Sequence, residues 1–360
     1  MRIDIRPITV PDRLDDPDAA ELHAFAEHRR AVELDNWGHD GFASSAVELL
    51  AGLQDRSFRD RTAMGAWDGD RLVGAVDVSW ERADGATVAE GQLTVAPEAR
   101  RAGVGTRLLE AAETRARAEG RPELIIWSEH GGLGLDAGGR ADVLRAPDGS
   151  AGLPLTVPAA AFATAHGYAL MQLERVSGIS VEAAIEGARS ELGSRAAAAA
   201  ARGYHVVTWE GRTPDDLIDA YARARARMAL DAPAGGLTID EEPWDAARVR
   251  AHEAQGVAAR SRLLVAALVT GDGDVAGYTE FELPDGRSIA YQNDTLVVSA
   301  HRGHGLGMLV KLANLVLLAD LAPERTDVVT WNADENRHML AINLAMGFEL
   351  RGLAANWQRP

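Results

Sequence analysis

Two stretches of the sequence carry the same motif: Val95-Ala-Pro-Glu-Ala-Arg100-Arg-Ala-Gly103-Val-Gly105 and Val297-Val-Ser-Ala-His-Arg302-Gly-His-Gly305-Leu-Gly307. In each copy a β-like run ends in Arg-x-x-Gly-x-Gly, and an amphipathic helix is predicted to follow. Glycines at a strand-to-helix turn let the backbone approach a ligand closely, and the first amides of a helix have no partner inside the helix. Such amides can hold the oxygens of a phosphate, so each stretch predicts an anion-binding turn.

Other landmarks repeat in the same order and at nearly equal spacing. The matching pairs are Gly74 and Gly277 in predicted hairpins, Trp127 and Trp331 in predicted strands, and Gly167 and Gly347 before the last strand of each half. A lone Gly-x-Gly would be weak evidence, because glycine turns often serve only to redirect the chain. Several landmarks in one order indicate an internal duplication.

Composition limits the class of protein. The chain has 360 residues, enough for two domains of about 150–200 residues each. It has no cysteine, which excludes disulfides, thiolate metal sites and cysteine nucleophiles. No uninterrupted apolar stretch is long enough to span a membrane, and the first residues lack the apolar core of a signal peptide. We therefore expect a cytoplasmic protein that does not enter membranes.

The net charge of −17 argues against non-specific binding of nucleic acid. An acidic surface also tolerates a cationic substrate, but most acidic enzymes are simply well solvated. No grouping of His, Asp and Glu has the spacing of metal ligands, so we expect no metal.

The predicted elements run strands, helix, strand, helix and strand in each half, which is typical of a mixed sheet packed with helices, a layered α/β fold. We predict an N-terminal domain over residues 1–180, a helical connector over 181–202 and a C-terminal domain over 203–360. Gly103 and Gly167 are farther apart than Gly305 and Gly347, so the first domain has an insertion near 130–153. Loops of that length are usually functional or disordered.

A nicotinamide site does not explain the motif. The dinucleotide fingerprint needs a third glycine three residues after the second, where this chain has Leu108 and Val310. The motif instead resembles the pyrophosphate loop of the Gcn5-related N-acetyltransferase (GNAT) superfamily, and the resemblance covers essentially the whole chain. It implies two tandem acyl-CoA N-acyltransferase domains that use acetyl-CoA. The architecture is similar to that of the mycothiol synthases, although no residue fixes their substrate.

The resemblance implies which residues contact the coenzyme. In the C-terminal domain they are Leu296, Val297, Val298, Arg302, Gly303, His304, Gly305, Leu306, Gly307 and Asn336. In the N-terminal domain they are Val95, Arg100, Arg101, Ala102, Gly103, Val104, Gly105 and Thr106. Asn336 stands where the family has a coenzyme-contacting asparagine, and the first domain has no match. The C-terminal domain is therefore predicted to be catalytic, while the N-terminal domain either binds coenzyme or is a relic.

The family transfers acetyl directly to an amine in a ternary complex, so a base is expected near the acceptor. Asp294 is the first choice, with Glu280 and Glu282 as substitutes; Asp294 equally fits a hydrogen-bonding residue near a strand end. Where the family commonly has a tyrosine as acid for the departing thiolate, this chain has Asn343 and Ala163. Water or Tyr291 is then left as the proton donor.

Three functions remain open. The first is an N-acetyltransferase that acts on a small-molecule primary amine. The second is an acyl-CoA sensor that has lost catalysis, which the missing tyrosine would explain. The third is an acetyltransferase that acts on a protein amine. The protein is expected to be a monomer or a homodimer.

Overall fold

The computed structural model describes residues 3–134, 142–147 and 151–359. Part of the predicted insertion near 130–153, residues 135–141 and 148–150, lies outside the described residues. The chain forms two compact units. Unit one contains the described residues up to Glu174 together with 234–240 and 352–359, and unit two contains 175–233 and 241–351.

Unit one follows the predicted order of elements. They are β1 (Ile3–Pro7), α1 (Ala20–Trp37), α2 (Ala46–Gln54), β2 (Arg59–Asp68), β3 (Arg71–Glu81), β4 (Val88–Val95), α3 (Val104–Ala118), β5 (Glu123–Gly131), the short β6 (Val143–Arg145) and β7 (Gly152–Pro154), α4 (Pro158–Ala165) and β8 (Ala169–Ser180), whose second half is counted with unit two. Strand β4 pairs antiparallel with β3 and parallel with β5.

Unit two repeats this order. Its elements are α5 (Val181–Ala200), β9 (Tyr204–Glu210), α6 (Ile218–Ala226), α7 (Met228–Asp231), α8 (Ala246–Ala258), β10 (Ser261–Thr270), β11 (Val275–Pro284), β12 (Ile289–Val297), α9 (Leu306–Leu321), β13 (Asp327–Ala333), α10 (Arg337–Met346) and β14 (Glu349–Gln358). Strand β12 pairs antiparallel with β11 and parallel with β13, as β4 does with its neighbours. The predicted mixed α/β fold is confirmed.

Alternation along the central strands produces two apolar layers in each unit. In unit one, Val76 belongs to the core under α3, while its neighbour Ala75 belongs to the core under α1 and α2. In unit two, Leu264 packs in the core under α5 and α9, and Val265 packs in the core under α6 and α8. The central strands of each unit are thus covered on both faces.

Two segments are packed differently from the predicted domain division. Helix α5, predicted as a connector, packs against α9 and contributes Val181 and Ala188 to the core of unit two. The last strand pairs through Gly352–Trp357 with β5, so the C-terminal residues complete unit one. Trp357 is buried in the core of unit one and donates a hydrogen bond from Nε1 to Ser128 Oγ over 2.9 Å.

The position of Trp357 makes unit one depend on the end of the chain. We expect Trp357→Ala to lower the free energy of unfolding of unit one by about 3–5 kcal/mol, because it removes a buried aromatic ring and leaves a cavity. Hydrogen exchange should show faster exchange in peptides from β5. Leu344→Ala is the control: this side chain is exposed, and its loss should change stability by about 0.5 kcal/mol or less. Unchanged exchange in β5 would contradict the assignment.

Candidate functional site

The loop of unit two, residues 302–307, has a backbone that only glycine adopts without strain. Gly303 and Gly305 have φ angles of 83° and 72°, in the left-handed region. A Cβ built on either glycine would meet no atom within 4 Å, so the space above the loop is open. Helix α9 begins directly afterwards at Leu306, which is buried and anchors the turn. The first amides of α9 have no partner inside the helix and lie next to this open space, where they can hold the oxygens of a diphosphate.

The loop of unit one, residues 100–106, has the same left-handed backbone, but one of its two left-handed positions is not a glycine. Gly103 has φ 79°, but Arg101 stands where unit two has Gly303 and has φ 65°. A non-glycine residue in this region costs roughly 1–2 kcal/mol. Ala102 is exposed and Val104 is buried at the start of α3. Thr106 is hydrogen-bonded to His166 over 3.0 Å.

The motif arginine is fixed in the same way in both units. Arg302 donates from Nε to the carbonyl oxygen of Val297 over 2.9 Å and from Nη2 to Asp231 over 3.2 Å. Arg100 makes the equivalent bonds to the Val95 carbonyl oxygen over 3.2 Å and to Asp35 over 2.8 Å. Each arginine therefore ties the end of a strand to a helix across the loop. Sequence reasoning missed both aspartates.

Cationic and imidazole side chains surround the loop of unit two. Arg202 donates to Nδ1 of His304 over 2.7 Å, and Tyr204 is hydrogen-bonded to Nδ1 of His301 over 3.0 Å. Arg202 and Arg302 thus bring positive charge to the loop of a chain that is acidic overall. This charge complements the diphosphate that the loop geometry fits.

The predicted pantetheine strand lies beside a gap in the sheet. The parallel ladder of β12 with β13 ends at the pair Gln292 and Thr330, while β12 continues to Val297. Along β11 the register shifts between Thr279 and Phe281, so that two residues of β12 lie opposite Glu280. Within the described residues, Leu296 and Val297 therefore have no paired strand on the β13 side. Past the strand, the amide of Val298 donates to the Ala276 carbonyl oxygen.

The register shift brings Asp294 into a buried polar cluster. Arg225 donates to Glu280 over 3.0 Å and to Asp294 over 3.2 Å, and Tyr278 donates to Asp294 over 3.0 Å. The Asp294 side chain is 29% exposed, whereas that of Glu280 is 2% exposed. The structure therefore brings together the first two predicted carboxylates and leaves only Asp294 within reach of solvent.

Glu280 is held as an anion. Burial alone would raise the pKa of Glu280, but Arg225 and His252 outweigh it and lower the pKa to about 2. His252 Nε2 lies 3.1 Å from Glu280 Oε1. A carboxylate of such low pKa is a weak base, so its geometry suits orientation of Arg225 better than proton abstraction. Sequence reasoning missed Arg225, which also lies over the Trp244 ring at 4.0 Å.

The remaining predicted side chains, Tyr291, Asn336 and Glu282, have other hydrogen-bond partners. The hydroxyl of Tyr291 accepts a hydrogen bond from Arg287 over 2.6 Å, and its ring contacts Trp331 edge-on at 5.9 Å. Asn336 accepts from the amide of Met339 over 3.1 Å and so caps α10. Glu282 accepts from Asn293 over 3.3 Å, and burial raises its pKa.

Unit one has a matching buried pair. Arg29 donates to Asp77 over 3.2 Å, at the repeat positions of Arg225 and Glu280. One turn further along α1, Oε2 of Glu33 has no hydrogen-bond partner within the described part of the chain. Burial and the neighbouring Glu129 raise the pKa of Glu33 to about 7. An uncharged carboxylic acid near neutral pH is a second candidate for proton transfer that sequence reasoning missed.

The only lysine of the sequence, Lys311, is buried in unit two. Its Nζ donates to Asn343 Oδ1 over 2.5 Å, and Asn343 donates in turn to Asn332 over 2.6 Å. Burial lowers the pKa of Lys311 to about 7. Asn343 is the position at which the resemblance described above implies a tyrosine, and here it is the partner of Lys311.

Among the described residues, no group of His, Cys, Asp or Glu side chains could hold a metal ion. No helix in the described ranges is long and apolar enough to cross a membrane.

Comparison with known proteins agrees with this geometry. Residues 22–131 match the model of the acetyltransferase (GNAT) family, a range that includes the loop of unit one. Among curated protein sequences, none matches the chain. The resemblance to the GNAT superfamily is confirmed.

Solved structures show the tandem arrangement. A tandem GNAT protein from the clavulanic acid biosynthesis pathway is 25% identical, with a TM-score of 0.71, and the match covers 99% of this chain and 98% of that one. A GCN5-related N-acetyltransferase from Sphaerobacter thermophilus is 16% identical, with a TM-score of 0.58 and coverage of 99% and 96%. The glucosamine N-acetyltransferase region of a fungal multi-domain β-N-acetylglucosaminidase is 14% identical, with a TM-score of 0.62 and coverage of 99% and 38%. The last two show the fold alone.

The lowered pKa of Lys311 has a measurable consequence. Between pH 7 and the ordinary lysine pKa of 10.5, the unfolded chain holds a proton that the folded chain has lost. Stability should therefore rise with pH in this window, by about 1.4 kcal/mol per unit, relative to Lys311→Leu. Urea denaturation of both proteins from pH 6.5 to 9.5 measures the difference. Parallel pH profiles would show that Lys311 keeps an ordinary pKa.

Proposed function

We propose that this protein is an acetyl-CoA-dependent N-acetyltransferase that acts on the primary amine of a small molecule. The observation that supports this proposal is the repeated strand–loop–helix turn. Its glycines at 303 and 305 have left-handed backbones, and a Cβ on either would meet no atom within 4 Å. The pairing of β12 with β13 ends before the turn. The match to the GNAT family model supports acyl transfer in general. Acetyl-CoA supplies a thioester whose carbonyl carbon an amine can attack.

The residues of this chain suit direct transfer. The sequence has no cysteine to form a thioester intermediate. The coenzyme-contacting loops are residues 302–307 in unit two and 100–106 in unit one, with Leu296, Val297 and Val298 beside the acyl arm and Asn336 at the start of α10. Backbone amides at the free edge of β12 stabilise the carbonyl oxygen as it gains charge.

A primary alkyl amine is protonated at neutral pH, so a base must take its proton before attack. We assign this role in unit two to Asp294, because it is the partly exposed carboxylate of the cluster. Glu280 fixes Arg225, and Arg225 orients Asp294. Water or Tyr291 returns a proton to the departing thiolate.

The alternatives are a non-catalytic acyl-CoA sensor and an acetyltransferase for protein amines. A sensor would bind acetyl-CoA and acetylate no amine, and a protein acetyltransferase would prefer a peptide. We further propose a cytoplasmic location and a monomer or homodimer, with no nucleic-acid or membrane partner, in line with the acidic charge.

The coenzyme loops can be tested one at a time by calorimetric titration of acetyl-CoA. We expect Gly305→Glu to weaken binding to unit two at least tenfold, because a carboxylate repels the diphosphate and the left-handed backbone is strained by a side chain. Gly103→Glu does the same for unit one. Gly211→Glu is the control, since it introduces the same charge at another left-handed glycine. Wild-type protein that binds no acetyl-CoA would overturn the proposed function.

The base can be tested with an acceptor identified from a panel of primary amines. We expect Asp294→Asn to lower kcat/KM by on the order of 100-fold, with coenzyme affinity unchanged, because an amide cannot take the proton. Asp320→Asn, at a side chain that is 49% exposed, is the matched control. The pH dependence of kcat/KM should change in the first variant. Full activity of Asp294→Asn would remove Asp294 from the mechanism.

A further inference from the structure

Unit one contains a small cavity beside its coenzyme loop. The cavity has a volume of about 50 Å³ and lies between β4, β5, α3 and α4. It begins where the parallel ladder of β4 with β5 ends, at Gln92 and Trp127. Its lining includes Leu109, Trp127, Ala159, Phe162, Ala163 and Tyr168. This lining is mostly apolar, so the cavity suits a hydrocarbon group.

The repeat shows which residues hold the same place in unit two. Leu109 and Lys311 both stand nine residues after the motif arginine, and Ala163 and Asn343 both stand four residues before the glycine that ends the helix. One contact verifies this correspondence independently. A Cβ on Gly105 would meet Phe162, and a Cβ on the matching Gly307 would meet the matching Ile342.

Lys311 fills in unit two the space that is a cavity in unit one. Its Nζ contacts Asn343 Oδ1 at 2.5 Å and Met339 Sδ at 3.9 Å, and it lies 5.3 Å from the centre of the Phe348 ring. These residues match Ala163, Ala159 and Tyr168, which line the cavity of unit one. The lysine is 1% exposed, so its side chain lies inside unit two, among the counterparts of the residues that line the cavity.

We propose that Lys311 is a selectivity residue that limits unit two to the acetyl group, and that the cavity of unit one accepts a longer acyl chain. The two units then select different acyl-CoA thioesters. This inference rests on the proposed function, because it assumes that both loops hold a CoA thioester.

The physical basis is the burial of apolar carbon. Each buried methylene contributes about 0.8 kcal/mol, or about fourfold in affinity. Butyryl-CoA, with two methylenes more than acetyl-CoA, should gain about fifteenfold in affinity where Leu109 lines the site. In unit two the butyryl chain would have to displace the Lys311 amine from its hydrogen bond with Asn343. This displacement would leave buried polar groups without partners.

The test isolates each unit by blocking the other loop. In the Gly305→Glu background, which leaves the loop of unit one intact, butyryl-CoA should bind about fifteenfold more tightly than acetyl-CoA. In the Gly103→Glu background, which leaves unit two intact, butyryl-CoA should bind more weakly than acetyl-CoA. Calorimetry with CoA, acetyl-CoA and butyryl-CoA gives all the affinities.

Reciprocal substitutions then test the residue itself. Lys311→Leu in the Gly103→Glu background should remove the preference for acetyl-CoA, and Leu109→Lys in the Gly305→Glu background should remove the preference for butyryl-CoA. Affinity for CoA itself should stay within about twofold. If Leu109→Lys fails to fold, Ala163→Leu fills the same cavity without charge and should have the same effect.

The outcomes separate the two proposals. Absence of CoA and acetyl-CoA binding in every protein overturns the proposed function. Binding of all three ligands with equal selectivity in both units overturns the inference and leaves the proposed function in place. An unchanged preference in Lys311→Leu also overturns the inference.

Discussion

The loop of each unit depends on one backbone constraint: the chain must leave a strand and enter a helix through residues with positive φ. Only glycine adopts this conformation without strain, and at Gly303 and Gly305 nothing lies above the missing side chains. The same turn directs the first amides of α9 into open space and brings Arg302 back onto the strand end. The open loop and the fixed strand end therefore follow from two glycines and one arginine.

The buried ion pairs set the chemistry on the α6 side of unit two and the α1 side of unit one. Arg225 with Glu280 and Arg29 with Asp77 are buried on both partners, and loss of one partner of such a pair typically costs about 3–5 kcal/mol. Repetition of this pair after duplication indicates that it belongs to the framework. Two carboxylates beside these pairs, Asp294 in unit two and Glu33 in unit one, have no carboxylate at the matching position of the other unit.

The sequence predicted the fold because its signals are local. Each of these signals (a glycine turn, a strand-to-helix transition, an alternation of apolar residues) spans only a few neighbouring positions. The helices and strands of the structure lie within a few residues of where these signals predict them. The partners of the site residues could not be predicted in this way. Arg225 meets Asp294 from a helix 69 positions away, and Asp231 meets Arg302 from 71 positions away, so no local pattern records the contact. The packing of residues 352–358 on β5 is non-local in the same sense.

The internal repeat carries one sequence signal for these partners. Arg29 and Asp35 repeat as Arg225 and Asp231 at a common offset, so the duplication itself marks charged positions that both units retain. Comparison of the two repeats also shows positions at which the units differ, and one of them is Leu109 in unit one and Lys311 in unit two. Within the described residues no carboxylate forms an ion pair with Lys311, so burial removes the hydration of its amine and lowers its pKa. Because burial of an amine opposes stability, packing alone does not account for a lysine at this position of unit two.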